Sequence, residues 1–410
     1  MQLTTSTAVS LTTILAARER IRDHIYYSPA NHSAALSAMT GQQVSLKLDN
    51  LQRTGAFKER GALNKILTLT DAEKKNGVIA ASAGNHAQAV AYHASARGIH
   101  ARIVMPLMTP LVKVSATAGF GAEVLLHGAN YDEACTEALR ISNEEGVTFL
   151  HPFDDEAVIA GQGSLGLEML EQIPDLDAVV IPIGGGGLIA GVACAIKETR
   201  PSVRVIGVQT EKLPSMLRAR EAGRPVTIPA EATIADGIAV RRAGELTFPL
   251  VERYVDEIVT VDEEEIAKAI LILLENEKTL AEGAGAIALA ALLQHKTSLP
   301  SGARTGVLVC GGNIDVSLLA RIIERGLLKD GRRTRLRIHI NDRPGALHQL
   351  TRIIADARAN IVQTAYDRAH YGVNLGDTVI DFSLETRGSS HIDTIRELLT
   401  QAGYRHERIA

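Results

Sequence analysis

The sequence predicts an α/β chain in two parts: a parallel-stranded, open α/β region over residues 1–330 and a ferredoxin-like βαββαβ module over residues 331–410. Three observations carry that prediction. From Val44 to Val309, short β-branched runs alternate with longer helical patterns, as in parallel strands covered on both faces. At Gly331-Arg332-Arg333 the pattern breaks, and strand, helix, strand, strand, helix, strand follow. The length, 410 residues with 46% hydrophobic, suits two or three domains rather than one.

Taken in order, Ser10 to Ser28 reads as an amphipathic helix with Ile14, Leu15, Ile21 and Ile25 turned inward. Strands are predicted at Val44 to Leu48, Gly77 to Ala81, Ala101 to Met105, Glu123 to Leu126, Ala178 to Ile183, Val203 to Gln209 and Thr305 to Val309. Between them lie helical patterns such as His86 to Arg97, Asp132 to Glu144 and Ile189 to Glu198. In the last part, strands are expected at Arg335 to Ile340, Ile361 to Asp367, Asp377 to Leu384 and Tyr404 to Arg408. Helices are expected at Pro344 to Arg358, with Asp342 as cap, and at His391 to Ala402. That module offers no nucleophile, base or metal constellation, so sensing or assembly suits it better than catalysis.

Open α/β sheets bind ligands beyond the carboxyl ends of their strands, which directs attention to four stretches. After the first strand comes Ala56-Phe57-Lys58, where Lys58 stands near the start of a helix. The positive end of the helix dipole disfavours an ammonium there and favours a nucleophilic amine. After the second comes Ser82-Ala83-Gly84-Asn85-His86, a small-residue turn able to hold an anion, although an ordinary cap by Ser82 or Asn85 would use the same residues. Next is Gly184-Gly185-Gly186-Gly187-Leu188. Its glycines cost roughly 0.5–1 kcal/mol each in backbone entropy relative to alanine, which a phosphate resting on bare N–H groups would offset. The spacing fits neither a dinucleotide fingerprint nor a P-loop. The fourth, Cys310-Gly311-Gly312-Asn313, presents a thiol that reads as a small buried hydrophobe or as a neutral partner for a ligand ring.

Composition excludes several classes. The formal net charge of −4, with both signs mixed throughout, argues against nucleic-acid and membrane surfaces. Cys135, Cys194 and Cys310 have neither metal nor disulfide spacing, which suits a reducing cytoplasm. Met1 to Leu15 lacks the pattern of a signal peptide. No metal site is expected.

Together the four stretches resemble the fold-type II (tryptophan synthase β-like) pyridoxal-phosphate enzymes, most closely the threonine dehydratases with a C-terminal ACT regulatory domain. The resemblance implies two open α/β subdomains, the smaller at roughly 53–155. It implies pyridoxal 5′-phosphate as cofactor, joined covalently to Lys58, which is also the general base. Phe57, Asn85, Gly184, Gly185, Gly186, Gly187, Leu188, Gly237, Glu282 and Cys310 would line the cofactor; Ser82, Ala83, Gly84, Asn85 and His86 would take the substrate carboxylate. The expected reaction is dehydration and deamination of L-threonine, with L-serine as side substrate, in amino-acid metabolism such as isoleucine biosynthesis. An amino-acid or nucleotide effector is expected at Asn341, Asp342, Arg343, Gly345, Ala346 and Leu347, in a homo-oligomer, dimer or tetramer.

Two positions separate this chain from serine racemases of the same resemblance. Ala83 replaces the serine that acts there from the second face, and Gln209 replaces a metal-binding glutamate. Racemases, β-replacing synthases and a catalytically silent amino-acid sensor stand as the alternatives.

Overall fold

Strand ends decide where this protein can bind anything, so sheet order comes first. The computed structural model describes residues 9–367 and 376–409; the segment before residue 9, part of the stretch in which a signal peptide was sought, lies outside the described residues. The chain divides into two compact units, Met1–Asp315 and Val316–Ala410.

In the first unit the strands are β1 (Ala30–His32), β2 (Gln43–Leu48), β3 (Val78–Ala81), β4 (Ala101–Met105), β5 (Glu123–Leu126), β6 (Thr148–Phe149), β7 (Ala178–Pro182), β8 (Arg204–Thr210), β9 (Glu257–Val261) and β10 (Arg304–Val309). They form a six-stranded sheet, β1-β2-β10-β7-β8-β9, and a four-stranded sheet, β5-β4-β3-β6. All pairings are parallel except that of β1 with β2. β7 is buried along its whole length, and β8 and β10 are buried after their first residue, which is why they read as continuous apolar runs. The order places the carboxyl ends of β2, β10 and β7 side by side. Lys58, Cys310 and Gly184 each follow one of those ends.

The helix Gly283–Leu293 is apolar on every side and buried from Gly283 to Leu292. Such a helix belongs inside a core, and its alanines and glycines let it lie close to the strands beneath.

Several expectations are corrected here. The first helix spans Leu11–Ile21 only; Leu15 faces solvent, and Ala17 takes the inward place beside Ile14 and Ile21. β1, β6 and β9 were not foreseen, because a three-residue antiparallel edge, a two-residue strand and a half-buried strand leave little alternation to detect. The helix near whose start Lys58 was expected begins at Lys58 itself.

The second unit opens with the helix Val316–Lys329, so the division falls before that helix rather than at the glycine-arginine linker. Then come β11 (Arg333–Asn341), the helix Ala346–Asp356, β12 (Asn360–Asp367), β13 (Asp377–Glu385), the helix Ser389–Gln401 and β14 (His406–Arg408). The sheet order is β12-β13-β11-β14, every pairing antiparallel. Its core includes Leu336, Ile338 and Ile340 of β11, which alternate with half-exposed neighbours at the strand period of two. Pro344 and Asp342 do not start the following helix. Its cap is Gly345, at φ +86, and the Asp342 carboxylate accepts from the Tyr366 hydroxyl at 3.3 Å.

Candidate active site

Lys58 is placed by the backbone pairing of the two residues before it. Ala56 forms an isolated antiparallel bridge with Gly311, and the N–H of Phe57 donates to the carbonyl of Cys310 at 2.9 Å. The lysine is thereby the first residue of its helix, held against the end of β10. Its Nζ donates to the carbonyl of Pro152 at 2.8 Å and lies 5.2 Å from the Phe57 ring centroid. Burial pushes the ammonium down to about 8, against the partial opposition of the Cys310 thiol and the Glu282 carboxyl. Aldehyde capture by Lys58 should therefore quicken as pH rises to about 8 and level off above it. Stopped-flow absorbance of the ligand-free protein mixed with the aldehyde pyridoxal would show this; a rate still climbing steeply at pH 10 would contradict it.

Behind Lys58 the helix is anchored by charge. Arg60 reaches Asp49 through two bonds of 2.8 Å and Glu168 through bonds of 2.6 and 2.9 Å, and Lys47 donates to Glu168 at 2.5 Å. All four side chains are buried.

The turn after β3 delivers Ser82 to His86. The helix Asn85–Ser95 is capped by Gly84 without any side-chain bond, so neither Ser82 nor Asn85 is its cap. Ser82 instead accepts the Gly84 N–H at 3.2 Å. The first-turn N–H groups of a helix lack intrahelical partners, which leaves an anion-binding end here. Asn85 donates to Glu282 at 2.7 Å and accepts from Asn313 at 2.8 Å; Asn313 also donates to the Thr54 carbonyl at 2.7 Å. His86 turns the other way, with its Nε2 at 2.9 Å from the Leu150 carbonyl. Burial drives its pKa to about 3, so the ring is neutral and Nε2 donates. The structure thus gives the His86 ring a place in the scaffold, while its backbone N–H stays at the helix end. Ala83 is half-buried and packs against the core beneath the turn.

Gly184 to Leu188 follow β7 and open the helix Gly187–Thr199, whose cap, Gly186, has φ +100 and makes no side-chain bond. Only glycine adopts that conformation without strain. The Phe153 ring fills the place of a side chain at Gly185, where a Cβ would meet it at 2.4 Å. Among the described residues no acceptor takes the N–H groups of Gly185, Gly186 and Gly187.

Glu282 sits at the centre of the group. Its N–H donates to the Gly311 carbonyl at 3.0 Å, and a Cβ at Gly237 would stand 3.1 Å from its Oε1. Burial and then Asp236 raise its carboxyl to about 7, opposed by Asn85, Lys113 and Lys58. Cys310 is buried, its Sγ 3.4 Å from the Ala284 carbonyl, and burial holds the thiol neutral. Gln209 is engaged in structure: its Oε1 accepts the N–H groups of Met216 and Leu217, each at 3.0 Å. No group of acidic, histidine or cysteine side chains suited to a metal occurs among the described residues.

A family described as pyridoxal-phosphate dependent enzyme matches residues 21–311. This chain belongs to that family. L-threonine ammonia-lyase of Thermotoga maritima is 48% identical over 97% of this chain and 98% of its own. The catabolic L-threonine dehydratase TdcB of Escherichia coli is 44% identical over 78% of this chain and 98% of its own. Among solved structures, the processed form of threonine deaminase isoform 2 from Solanum lycopersicum has a TM-score of 0.74 at 38% identity, covering 77% of this chain and 91% of its own. Maize serine racemase has a TM-score of 0.74 at 36% identity, covering 78% and 99%.

The cofactor of this pyridoxal-phosphate enzyme is thus an aldehyde with an anionic tail, and the residues on hand fit both ends. Lys58 offers a half-buried amine that is partly unprotonated near neutrality. The glycine turn offers unpaired N–H groups at a helix N-terminus, where a phosphate is stabilised. Sequence reasoning missed Pro152, Phe153 and Asn313. The first two follow β6, a strand too short to draw attention to its end; Asn313 lay within a stretch where only the cysteine was weighed.

In the second unit, Asn341 to Leu347 form an ordered turn from β11 into the next helix. Asn341 donates to Asp377 at 2.8 Å, the Asp342 N–H to the Gly376 carbonyl at 2.9 Å, and the Ala346 N–H to the Arg343 carbonyl at 3.2 Å. All but Ala346 are exposed. Among the described residues, no helix is long and apolar enough to cross a membrane.

Proposed function

We propose that this enzyme dehydrates and deaminates L-threonine to 2-oxobutanoate and ammonia, with L-serine giving pyruvate as a side reaction. The observation that carries the reading is the near full-length likeness to the T. maritima L-threonine ammonia-lyase, on a chain with an amine at Lys58 lowered to about 8. Bound, pyridoxal phosphate supplies an electron-withdrawing ring that acidifies the α-proton of an attached amino acid. Lys58 holds the cofactor at rest and then accepts that proton at Nζ. The N–H groups at the start of the helix Asn85–Ser95 would bind the substrate carboxylate, and the hydrogen-bonded pair Asn85 and Glu282 would help to hold the cofactor. The neutral Cys310 thiol would offer the cofactor ring no anionic partner, which favours quick elimination. Incubation with threonine should release 2-oxobutanoate in equimolar amount with ammonia; exclusive turnover of serine with an added thiol would point instead to β-replacement.

The likeness to maize serine racemase raises a second reading, racemisation, which Ala83 disfavours because it offers no base on the second face. Recovery of the D-enantiomer from L-serine would reverse that preference. The catabolic label of the E. coli relative favours threonine breakdown over isoleucine synthesis as the setting, and unpaired cysteines suit a cytoplasmic one.

The βαββαβ module, residues 331–410, supports control by an amino-acid or nucleotide effector at Asn341 to Leu347, in a homo-oligomer. Stopping the chain after Gly331 is expected to leave threonine turnover and to abolish any response to isoleucine, valine or a nucleoside monophosphate. An unchanged response in titrations of the shortened enzyme would refute the assignment.

A further inference from the structure

We propose that Thr247, braced by Asp154, is a positioning residue that keeps the glycine turn in the phosphate-binding conformation. The hydroxyl of Thr247 donates to the Gly185 carbonyl at 2.6 Å, and the Gly244 N–H reaches the same oxygen at 3.2 Å. The peptide bonds among the described residues are trans. In a trans peptide the carbonyl and the following N–H point in opposite directions. Fixing the Gly185 carbonyl on Thr247 therefore aims the Gly186 N–H the opposite way, where an anion at the helix N-terminus can accept it.

The contact is built closely. Thr247 is fully buried, and a Cβ on Gly186 would meet its Oγ1 at 2.7 Å, so Gly186 leaves room for the hydroxyl. Thr247 opens the helix Thr247–Tyr254, and the Asp154 carboxylate accepts the N–H groups of Glu245 and Leu246 at 2.9 Å and of Thr247 at 3.2 Å. Asp154 adjoins Phe153, whose ring stands where a Cβ on Gly185 would be, and Pro152, whose carbonyl takes Lys58. One short segment thus touches the covalent end and the phosphate end of the site.

The physical need for a clamp follows from the glycines. Peptide planes between glycines reorient at little steric cost, so four in a row do not by themselves keep their N–H groups pointed at a ligand. With valine at 247 the shape is retained but the donor is lost. The Gly185 carbonyl then keeps only the longer bond from Gly244, and the turn is free to rotate away.

This inference rests on reading the turn as the phosphate holder, and the two can fail separately. Apoenzyme is titrated with pyridoxal 5′-phosphate and with pyridoxal, which lacks the phosphate, and attachment is followed by absorbance. Wild type should prefer the phosphorylated form by at least about 100-fold, as expected when several charge-assisted bonds are gained. Absence of that preference would overturn the reading of the turn. Thr247→Val should weaken the phosphorylated ligand by about tenfold or more, the scale of one lost buried hydrogen bond, and leave pyridoxal within about twofold. Thr247→Ser, which keeps the donor, should restore most of the loss. Equal weakening of both ligands, unchanged affinity in Thr247→Val, or no rescue by serine would overturn the clamp.

Discussion

Replacing Lys58 with alanine is expected to cut 2-oxobutanoate formation at least about 1,000-fold, because the proposed function gives one side chain the work of both covalent anchor and base. The loss should come without unfolding. Lys58 bonds only a carbonyl, that of Pro152, and removing a desolvated amine costs the fold little. Lys47 could not take its place. That lysine is fully buried, but its Nζ is engaged with the Ser28 carbonyl at 2.6 Å, Glu168 at 2.5 Å and Gln172 at 2.9 Å. Borohydride reduction of the holoenzyme followed by peptide mapping should place the label on Lys58 alone, and on no lysine in Lys58→Ala. A variant retaining a tenth of the wild-type rate would end the assignment.

The largest expected effect on stability belongs to Arg60→Ala, at about 3–5 kcal/mol, the usual loss when one member of a buried ion cluster is removed. Asp49 and Glu168 would be left buried with Lys47 as the remaining bonded cation, and the guanidinium volume would become a void. Equilibrium unfolding in urea measures this, and a loss below about 1 kcal/mol would show that the cluster relaxes or hydrates. The pH dependence has a definite sign. Burial alone would raise the Asp49 carboxyl, but Arg60 beside it holds it below the usual aspartate value. Its contribution is therefore complete above the unfolded-state value and declines as pH falls through the lower folded-state one. In Arg60→Ala that acid-side dependence should shrink, since the partner that depresses the carboxyl is gone. Arg60 lies two residues from Lys58 on the same helix.

Long apolar strands were legible in advance because burial on both faces leaves an uninterrupted signal; β7, β8 and β10 were found to within a residue or so. β6 was not, and with it went Pro152 and Phe153. A two-residue strand carries no periodicity, and a carbonyl acceptor has no side-chain chemistry to notice. Asn85 and Glu282 were each named from the sequence, but 197 positions separate the hydrogen-bonded pair, and nothing local could join them.

By itself the sequence determined which functional groups this protein possesses and in what local setting: an amine opening a helix, two glycine-bearing turns at helix N-termini, a thiol at a strand end. Tertiary structure alone decided how they behave. The order β2-β10-β7 sets Lys58, Cys310 and the glycine turn at neighbouring strand ends, and the covering elements bury Glu282 and Cys310 and partly desolvate Lys58. Desolvation and charge proximity depend on distance through space, which residues far apart in the chain acquire only when the sheets assemble.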